Sequence, residues 1–480
     1  MTTSRKGMIL AAVMVIIAMG AMIAAGVAFR IRAERSVSDA ISVGRQARQT
    51  AMSGLDRAIQ LIRSSRGDPL LLVDNPDDLA GQYVASDGVN KWYFTVYAPN
   101  VDEATYVRNG VIDEAGKINL NTASEETLRA MFADQSEADE LVDSLLDYRD
   151  EDDEPRPNGA EQPYYDSLSH PFLIRNRPFI RTVEETLVIK GFHGAIVYGE
   201  DHNLNGLLDA GEDDRETSFP YFDNGDGVLD RGLVGVATTH SYEYDVDSRG
   251  RPRTDLNGDP GAIARVGLPK ETVEFIQAWR KAGKTFDHPS QLLGMTFRTK
   301  VKEEQEYTDG AGRRRTRTVE VWKTLESGVD ERTLPLVMDR LTTQPAGGRK
   351  KRVTGLLNVL SADVEVLSML GNIDVDLASR IADARVMVAP EDAATTAWLV
   401  TGDVVSAETY RRIAPLLTSR SFQYRIRVVG FGVPSGRYCV LEAVVDLADG
   451  RPRIVYLRDL TRMGLPFAVD TDLLQAGEGS

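Results

Sequence analysis

The chain has almost none of the residues that build disulfide frameworks or soft-metal sites. Its 480 residues include one cysteine, Cys439, so no intramolecular disulfide can form. That suits a reducing cytoplasm, and equally an oxidising compartment in which another device staples weak regions. Five histidines add little for zinc to bind. Basic residues are outnumbered, 56 Lys and Arg against 72 Asp and Glu, for a formal net charge of −16. Such a surface repels phosphate backbones, and no nucleic-acid partner is expected. The carboxylates point instead to hard cations such as calcium. Catalytic signatures are missing as well. The sequence holds no Ser-His-Asp arrangement, Walker loop or HExxH, and paired carboxylates are too common to single any pair out. Gly347-Gly348 beside Arg349-Lys-Lys-Arg352 reads as an exposed basic linker. We expect no enzyme activity.

Charge is absent altogether from Met8 to Phe29, with Arg5 and Lys6 before and Arg30, Arg32 and Arg35 after. As a helix this stretch reaches about 33 Å, enough to cross a hydrocarbon core. A cleaved signal would be shorter and end in a small-residue site, and a core helix is rarely apolar all round. Proline is absent from Arg30 to Arg66, where Val37, Ile41, Ala47, Ala51, Leu55, Ala58, Ile59 and Ile62 recur largely at threes and fours, with Gly44 spanning the one gap. The pattern predicts a membrane helix that continues as an amphipathic stalk and ends at Gly67-Asp-Pro69.

Further on, Lys91-Trp-Tyr-Phe-Thr-Val-Tyr97 reads as a strand. Tyr106–Asp113 and Lys117–Asn121 read as short strands around a Glu114–Gly116 turn. Phe422–Gly430, Arg437–Asp446 and Arg453–Arg458 alternate between Gly/Pro turns, as an antiparallel meander does. Strands near both ends with helical patterns between predict an α+β fold: a long N-terminal helix packed on an antiparallel sheet, with a large, mostly α-helical insertion. The expected boundaries are 8–29 for the membrane helix, 30–66 for the stalk, 67–121 and 396–465 for the two parts of the sheet domain, 122–395 for the insertion and 466–480 for a tail.

The insertion contains a weak internal repeat. Lys117-Ile-Asn-Leu-Asn-Thr-Ala-Ser124 leads into a helix with Ser124 as N-cap, Gly355-Leu-Leu-Asn-Val-Leu-Ser-Ala362 opens another, and Thr254-Asp-Leu-Asn-Gly258 is a more degenerate third copy. These openings resemble helix-hairpin-helix units, which grip DNA through glycine-rich hairpins. The first copy instead has Ala133-Asp-Gln-Ser136 among acidic residues, which favours a packing role.

For metal, Asp201-His-Asn-Leu-Asn-Gly-Leu-Leu-Asp-Ala-Gly-Glu212 has the spacing of a twelve-residue calcium loop. Asp201, Asn203, Asn205, Asp209 and Glu212 supply side-chain oxygens, Leu207 its carbonyl, and Gly206 the sharp turn. The competing reading is a solvated acidic turn. A weaker loop, Asp223-Asn-Gly-Asp-Gly-Val-Leu-Asp230, keeps Asn224, Asp226 and Asp230 in the same spacing, but Phe222 occupies the first position and Asp223 would have to substitute. Asp147, Asp150, Asp152, Asp153, Glu154 and Glu161 form an acidic cluster that, taken alone, is a solvated face.

Three sets of residues carry a family resemblance. The basic leader with its Gly7-Met8 junction and long helix resembles the type IV pilin and pseudopilin class. Within that class, the run Leu141–Pro155 with Asn158-Gly-Ala-Glu161 and Tyr164-Tyr165, and Asn176-Arg-Pro178 with the segment Val183–Phe192, resemble the K-type minor pseudopilin of type II secretion. Ala397-Trp-Leu, Ser419–Tyr424 and Glu442–Val445 resemble its closing strands, and the likeness is poorer over 193–350, an expansion of the insertion. The resemblance implies a prepilin leader, 1–7, cut by a prepilin peptidase between Gly7 and Met8, and a single-pass inner-membrane anchor with its bulk in the periplasm. It also implies structural calcium in the insertion, which raises the standing of the Asp147–Glu161 cluster as a metal site. Its expected partners are the H-, I- and J-type minor subunits and the major pseudopilin, at a filament tip. Most pilins carry a glutamate where this chain has Ala12. A subunit without that buried charge suits a filament end, though Ala12 alone also reads as an ordinary membrane residue. Rival readings are a minor type IV pilus subunit, a membrane-anchored DNA-uptake receptor and an anchored hydrolase.

Overall fold

The computed structural model describes residues 4–65, 70–101, 103–174, 179–215, 217–218, 223–308, 310, 312, 314–345 and 351–469. Gly67–Pro69, Phe222, Asn176–Pro178, Gly347–Lys350 and most of the tail lie outside them.

One unbroken helix, Ser4–Ser64, forms the stem. Its first half is long and apolar enough to cross a bilayer, with none of that window buried. Its last turns lie on a sheet, where Ala47, Ala51, Leu55, Ala58 and Ile62 are buried at the three-and-four spacing of one helix face. Small residues make the contact close. A Cβ on Gly430 would meet the Ala51 backbone nitrogen at 2.4 Å, and one on Gly54 the Val428 Cγ2 at 2.7 Å. Val37 and Ile41, read above as packing positions, remain exposed, because the helix is about 90 Å long and the sheet covers only its end.

The sheet runs in the order Gln82–Ser86, Lys91–Pro99, Gln423–Val433, Arg437–Asp446, Arg453–Asp459, all neighbours antiparallel. Both faces are covered. Trp92, Phe94 and Val96 face the stem, whereas Tyr93, Tyr97, Val429, Phe431 and Val440 pack on the other side with Leu204 and Leu460. Two-sided burial explains the near-continuous apolar run in the second strand.

Between the halves of this sheet stands the insertion, and its weak sequence repeat corresponds to three structurally equivalent units. Each opens with a two-residue strand, continues through two helices and closes with a helix and a parallel two-residue strand. The paired strands are Ile118–Asn119 with Ala237–Thr238, Thr254–Asp255 with Leu341–Thr342, and Leu357–Asn358 with Leu417–Thr418. The same bond recurs at each closure: Leu120, Leu256 and Val359 donate their N–H to the carbonyls of Thr238, Thr342 and Thr418. Asn119, Asp255 and Asn358 each accept from the N–H two residues on. At the end of the second helix Arg149, Arg280 and Arg385 reach back to carbonyls of the opening turn, those of Leu120, Asn257 and Ala362. The three units share one core.

Two expected boundaries move. Residues 118–121 open the first unit, whereas the sequence reading gave them to the sheet domain. Residues 396–418 close the third unit: Trp398–Thr401 and Ala407–Ile413 are helices, and Trp398, Leu399 and Tyr410 are buried in the insertion's core. Ala397-Trp-Leu is therefore no closing strand.

Candidate metal centres

Between its second helix and its closing helix, the first unit carries the chain from Asp150 to Arg231. All three acidic motifs lie at or within this stretch. Asp147 sits in the last turn of helix Ala138–Arg149, Asp150 caps it, and Glu161 starts the short helix Gln162–Asp166. Their ligand oxygens lie within 4.8 Å of one another, the one such group of His, Cys, Asp or Glu among the described residues. Asp147 Oδ1, Asp150 Oδ1 and both Glu161 oxygens are buried without a hydrogen-bond donor. Arg156 gives partial relief: its Nε lies 3.5 Å from Asp147 Oδ1, and its N–H donates to Asp147 Oδ2 at 3.1 Å. Burial, followed by the neighbouring charges of Asp150 and Asp147, pushes the Glu161 carboxyl up to about 7. Asp147 and Asp150 are raised as well, chiefly by burial. Converging carboxylates with orphaned oxygens are costly without a cation, and an all-oxygen donor set suits calcium. Asp152 and Asp153 are exposed and act on Glu161 through charge alone.

The 201–212 loop lies on the sheet face away from the stem. Arg427 Nη1 donates to the Leu204 carbonyl at 3.0 Å, and Leu208 N–H to that of Ala104 at 2.9 Å. Gly206 has φ +75°, and a Cβ there would strike the Pro99 ring at 2.7 Å, so this position requires glycine twice over. Asp201 is buried and accepts from the Asn205 and Gly206 N–H groups. Asn203 and Asn205 both donate side-chain amides to Asp209 Oδ2, at 2.8 and 2.9 Å. Glu212, fully buried, accepts from Asp209 N–H at 3.0 Å and lies 2.8 Å from His202 Nδ1. Burial raises its carboxyl, with Asp201 and Asp209 adding to the shift. The loop brings the five side chains together, but both amides donate to Asp209, Glu212 Oε1 is left without a hydrogen-bond donor, and the carboxylates do not converge as those of the triad do. Asn203 and Asn205 would have to present their oxygens to hold an ion.

In the third motif the oxygens are already used. Asp223 accepts from the N–H groups of Asp214, Arg215 and Gly225. Asn224, Asp226 and Asp230 each accept from the N–H two residues on. Glu200, which the sequence reading passed over, bridges the ends of this loop by accepting from Asn224 and Asp230 N–H, both at 3.1 Å. No sequence signal marks Glu200. It is visible only once the loop has closed.

A buried ion network ties to the sheet the turn that leads into the first unit, and Thr238 of the unit's closing strand donates its hydroxyl to the same Glu114. Arg425 pairs with Glu114 at 2.7 Å and Glu442 at 2.8 Å, and Arg427 with Glu442 at 2.8 Å. Burial alone would raise Glu114 and Glu442. Arg425 outweighs it, joined at Glu442 by Arg427, and holds both carboxyls at about 2.

Residues 110–198, which include the first unit's opening, its two helices and the carboxylate triad, match the family described as protein K of the type II secretion system. Over those residues the chain is similar to the K-type family. The match ends before the 201–212 loop. No curated protein matches the chain. Among solved structures, a chain from the GspK-GspI-GspJ complex of the enterotoxigenic Escherichia coli type 2 secretion system is similar at 10% identity and TM-score 0.37, over 90% of this chain and 99% of that one. Gly7 and Met8 lie in the first turns of the stem helix, outside the matched residues.

Proposed function

We propose that the chain is a minor pseudopilin that caps or initiates the pseudopilus of type II secretion, with a structural and not a catalytic role. The observation that carries this reading is the single stem helix, apolar and exposed in its first half and packed on the sheet in its last turns. A rod of that design leaves a bilayer and enters a helical bundle without refolding. Exposed Val37 and Ile41 then meet the stems of neighbouring subunits. The leader is cut after Gly7, and the bulk of the chain stands in the periplasm. The insertion, larger than the sheet domain, blocks a further subunit from stacking above it. H-, I- and J-type subunits and the major pseudopilin are its partners.

In the same reading calcium is held by Asp147, Asp150 and Glu161, and a second ion by Asp201, Asn203, Asn205, Asp209, Glu212 and the Leu207 carbonyl. The ion supplies positive charge that lets the carboxylates stay ionised and tightens an insertion with no disulfide. Asp223, Asn224, Asp226 and Asp230 act as turn-formers.

Co-expression of the full chain with I- and J-type subunits, followed by affinity purification and immunogold labelling of pseudopili, tests the reading. A stoichiometric complex and label at one filament end are expected. Label along the whole filament, or recovery of the chain without either partner, would overturn it.

A further inference from the structure

The second unit carries at the corresponding place, between its second helix Lys270–Lys281 and its closing helix Leu334–Arg340, a two-stranded ribbon and no acidic loops. Thr296–Thr308 runs out and Arg314–Glu326 returns, paired without interruption from Thr296 with Glu326 to Thr308 with Arg314. Its base is built in. Phe297 packs edge-on against Trp279 at 5.0 Å, Lys284 lies over the Trp279 ring at 4.5 Å, and Leu325 joins the insertion's core. From Lys302 outward every described residue is exposed except Val319, which is half-buried. That leaves about 24 Å of ribbon without support from the body. An isolated hairpin is marginal in water, and its open edges are templates for another strand.

Charge selects the edge and the occupant. The whole chain is strongly acidic, yet the two strands carry seven basic residues against five acidic ones. From Arg314 to Val319 the returning strand has Arg314, Arg315 and Arg317 and no acid, whereas the outgoing strand beside it has Glu303, Glu304 and Glu306. The tip stands several Debye lengths from the body, beyond the reach of its negative field at physiological salt. Further in, Trp322 is 60% exposed and flanked by Arg298 and Lys300, 5.5 and 5.6 Å from its ring. A lipid or a nucleic acid would use the arginines but not the strand's outward N–H and C=O groups; a polypeptide uses both.

We propose that the outer edge of Arg314–Thr324 is a docking edge for an extended acidic strand of a partner protein, which adds to the ribbon as a third strand. The glutamates of the outgoing strand repel the same partner from the opposite edge. The inference stands apart from the filament-tip reading and survives if that reading fails.

Fluorescence anisotropy with the full chain in detergent micelles tests it. The probe is a labelled twelve-residue peptide in which glutamate alternates with valine and threonine. Matched peptides carry lysine for glutamate or a central proline. Saturable, salt-sensitive binding of the acidic peptide is expected. It should weaken about tenfold or more in the triple variant Arg314→Glu, Arg315→Glu, Arg317→Glu, and vanish when residues 302–322 are replaced by a two-residue turn. The triple variant also removes the Arg317 contacts to Gln305 and Tyr307 across the ribbon, so the double variant Arg314→Glu, Arg315→Glu, which keeps them, is measured beside it and should show most of the loss. No binding of the acidic peptide, equal binding of the lysine peptide, or binding that persists without the ribbon would overturn the proposal. So would ribbon-dependent dimerisation of the chain, since a second copy would then cover the edge.

Discussion

If Asp147, Asp150 and Glu161 hold calcium, their response to calcium and their response to pH must be linked, and the size of the link follows from the geometry. Three ionised carboxylates with oxygens within 4.8 Å repel one another by about 3 kcal/mol per pair at an effective dielectric near 20. Without an ion the site keeps a proton, and Glu161, pushed up to about 7, is its holder. A carboxyl raised above its ordinary value stabilises the fold fully below that value and loses the contribution as pH rises through about 7. The calcium-free chain should therefore soften from pH 5 to pH 8. Calcium competes with that proton, so its apparent affinity should fall about tenfold between pH 8 and pH 6. At a hundredfold excess over Kd, calcium adds about 2.7 kcal/mol, or about 5 °C in Tm for a domain of this size. Thermal melts of the full chain in detergent, with calcium or with chelator at pH 6, 7 and 8, read both effects. Glu161→Gln keeps the shape and removes one charge. It should raise the Tm of the calcium-free chain at pH 8 and abolish most of the calcium shift. A calcium shift unchanged by Glu161→Gln but lost in Glu212→Gln would move the ion to the 201–212 loop and refute the reasoning.

Arg425→Met leaves Glu114 buried without its cation and should cost about 3–5 kcal/mol in urea unfolding; a loss below 1 would mean the network is not holding the unit to the sheet. Glu114 and Glu442, held at about 2, contribute fully above their ordinary pKa and lose that contribution as pH falls through it toward 2. The same substitution should accordingly move acid unfolding to a higher pH, followed by circular dichroism. Leu55→Ala, at a fully buried stem position, should cost about 2–5 kcal/mol, whereas Ile41→Ala, at an exposed one, should leave the isolated chain's melt unchanged. Co-expression with a prepilin peptidase should yield a chain whose mass begins at Met8, and a mass beginning beyond residue 30 would remove the anchor.

The stem and the sheet were legible because each is written in a local period. Threes and fours from Ala47 to Ile62 mark one helix face, and the meander from Gln423 to Asp459 lies close to its predicted strands. Gly54 and Gly430 carried no such signal. Their role depends on two segments meeting, and only the folded distance to Val428 and Ala51 reveals it. The insertion's end was misplaced for a related reason. Trp398 and Tyr410 are apolar and aromatic in a short stretch, which suits a strand as well as a helix, and tertiary burial decided for the helix.

The metal motifs teach the opposite lesson about pattern. The sharper sequence motif, Asp201–Glu212, closes into a loop in which side-chain amides satisfy Asp209 and backbone N–H groups satisfy Asp201, leaving one orphaned oxygen, Glu212 Oε1. The vaguer cluster is left with more of them, four orphaned oxygens against one, because Asp147, Asp150 and Glu161 converge from a helix end and a distant loop that no fixed spacing encodes. A twelve-residue spacing reports what one segment can wrap by itself. Unpaired buried charge reports what the fold has left for an ion to neutralise, and it ranks the triad first as the site where calcium would contribute most to the insertion's stability.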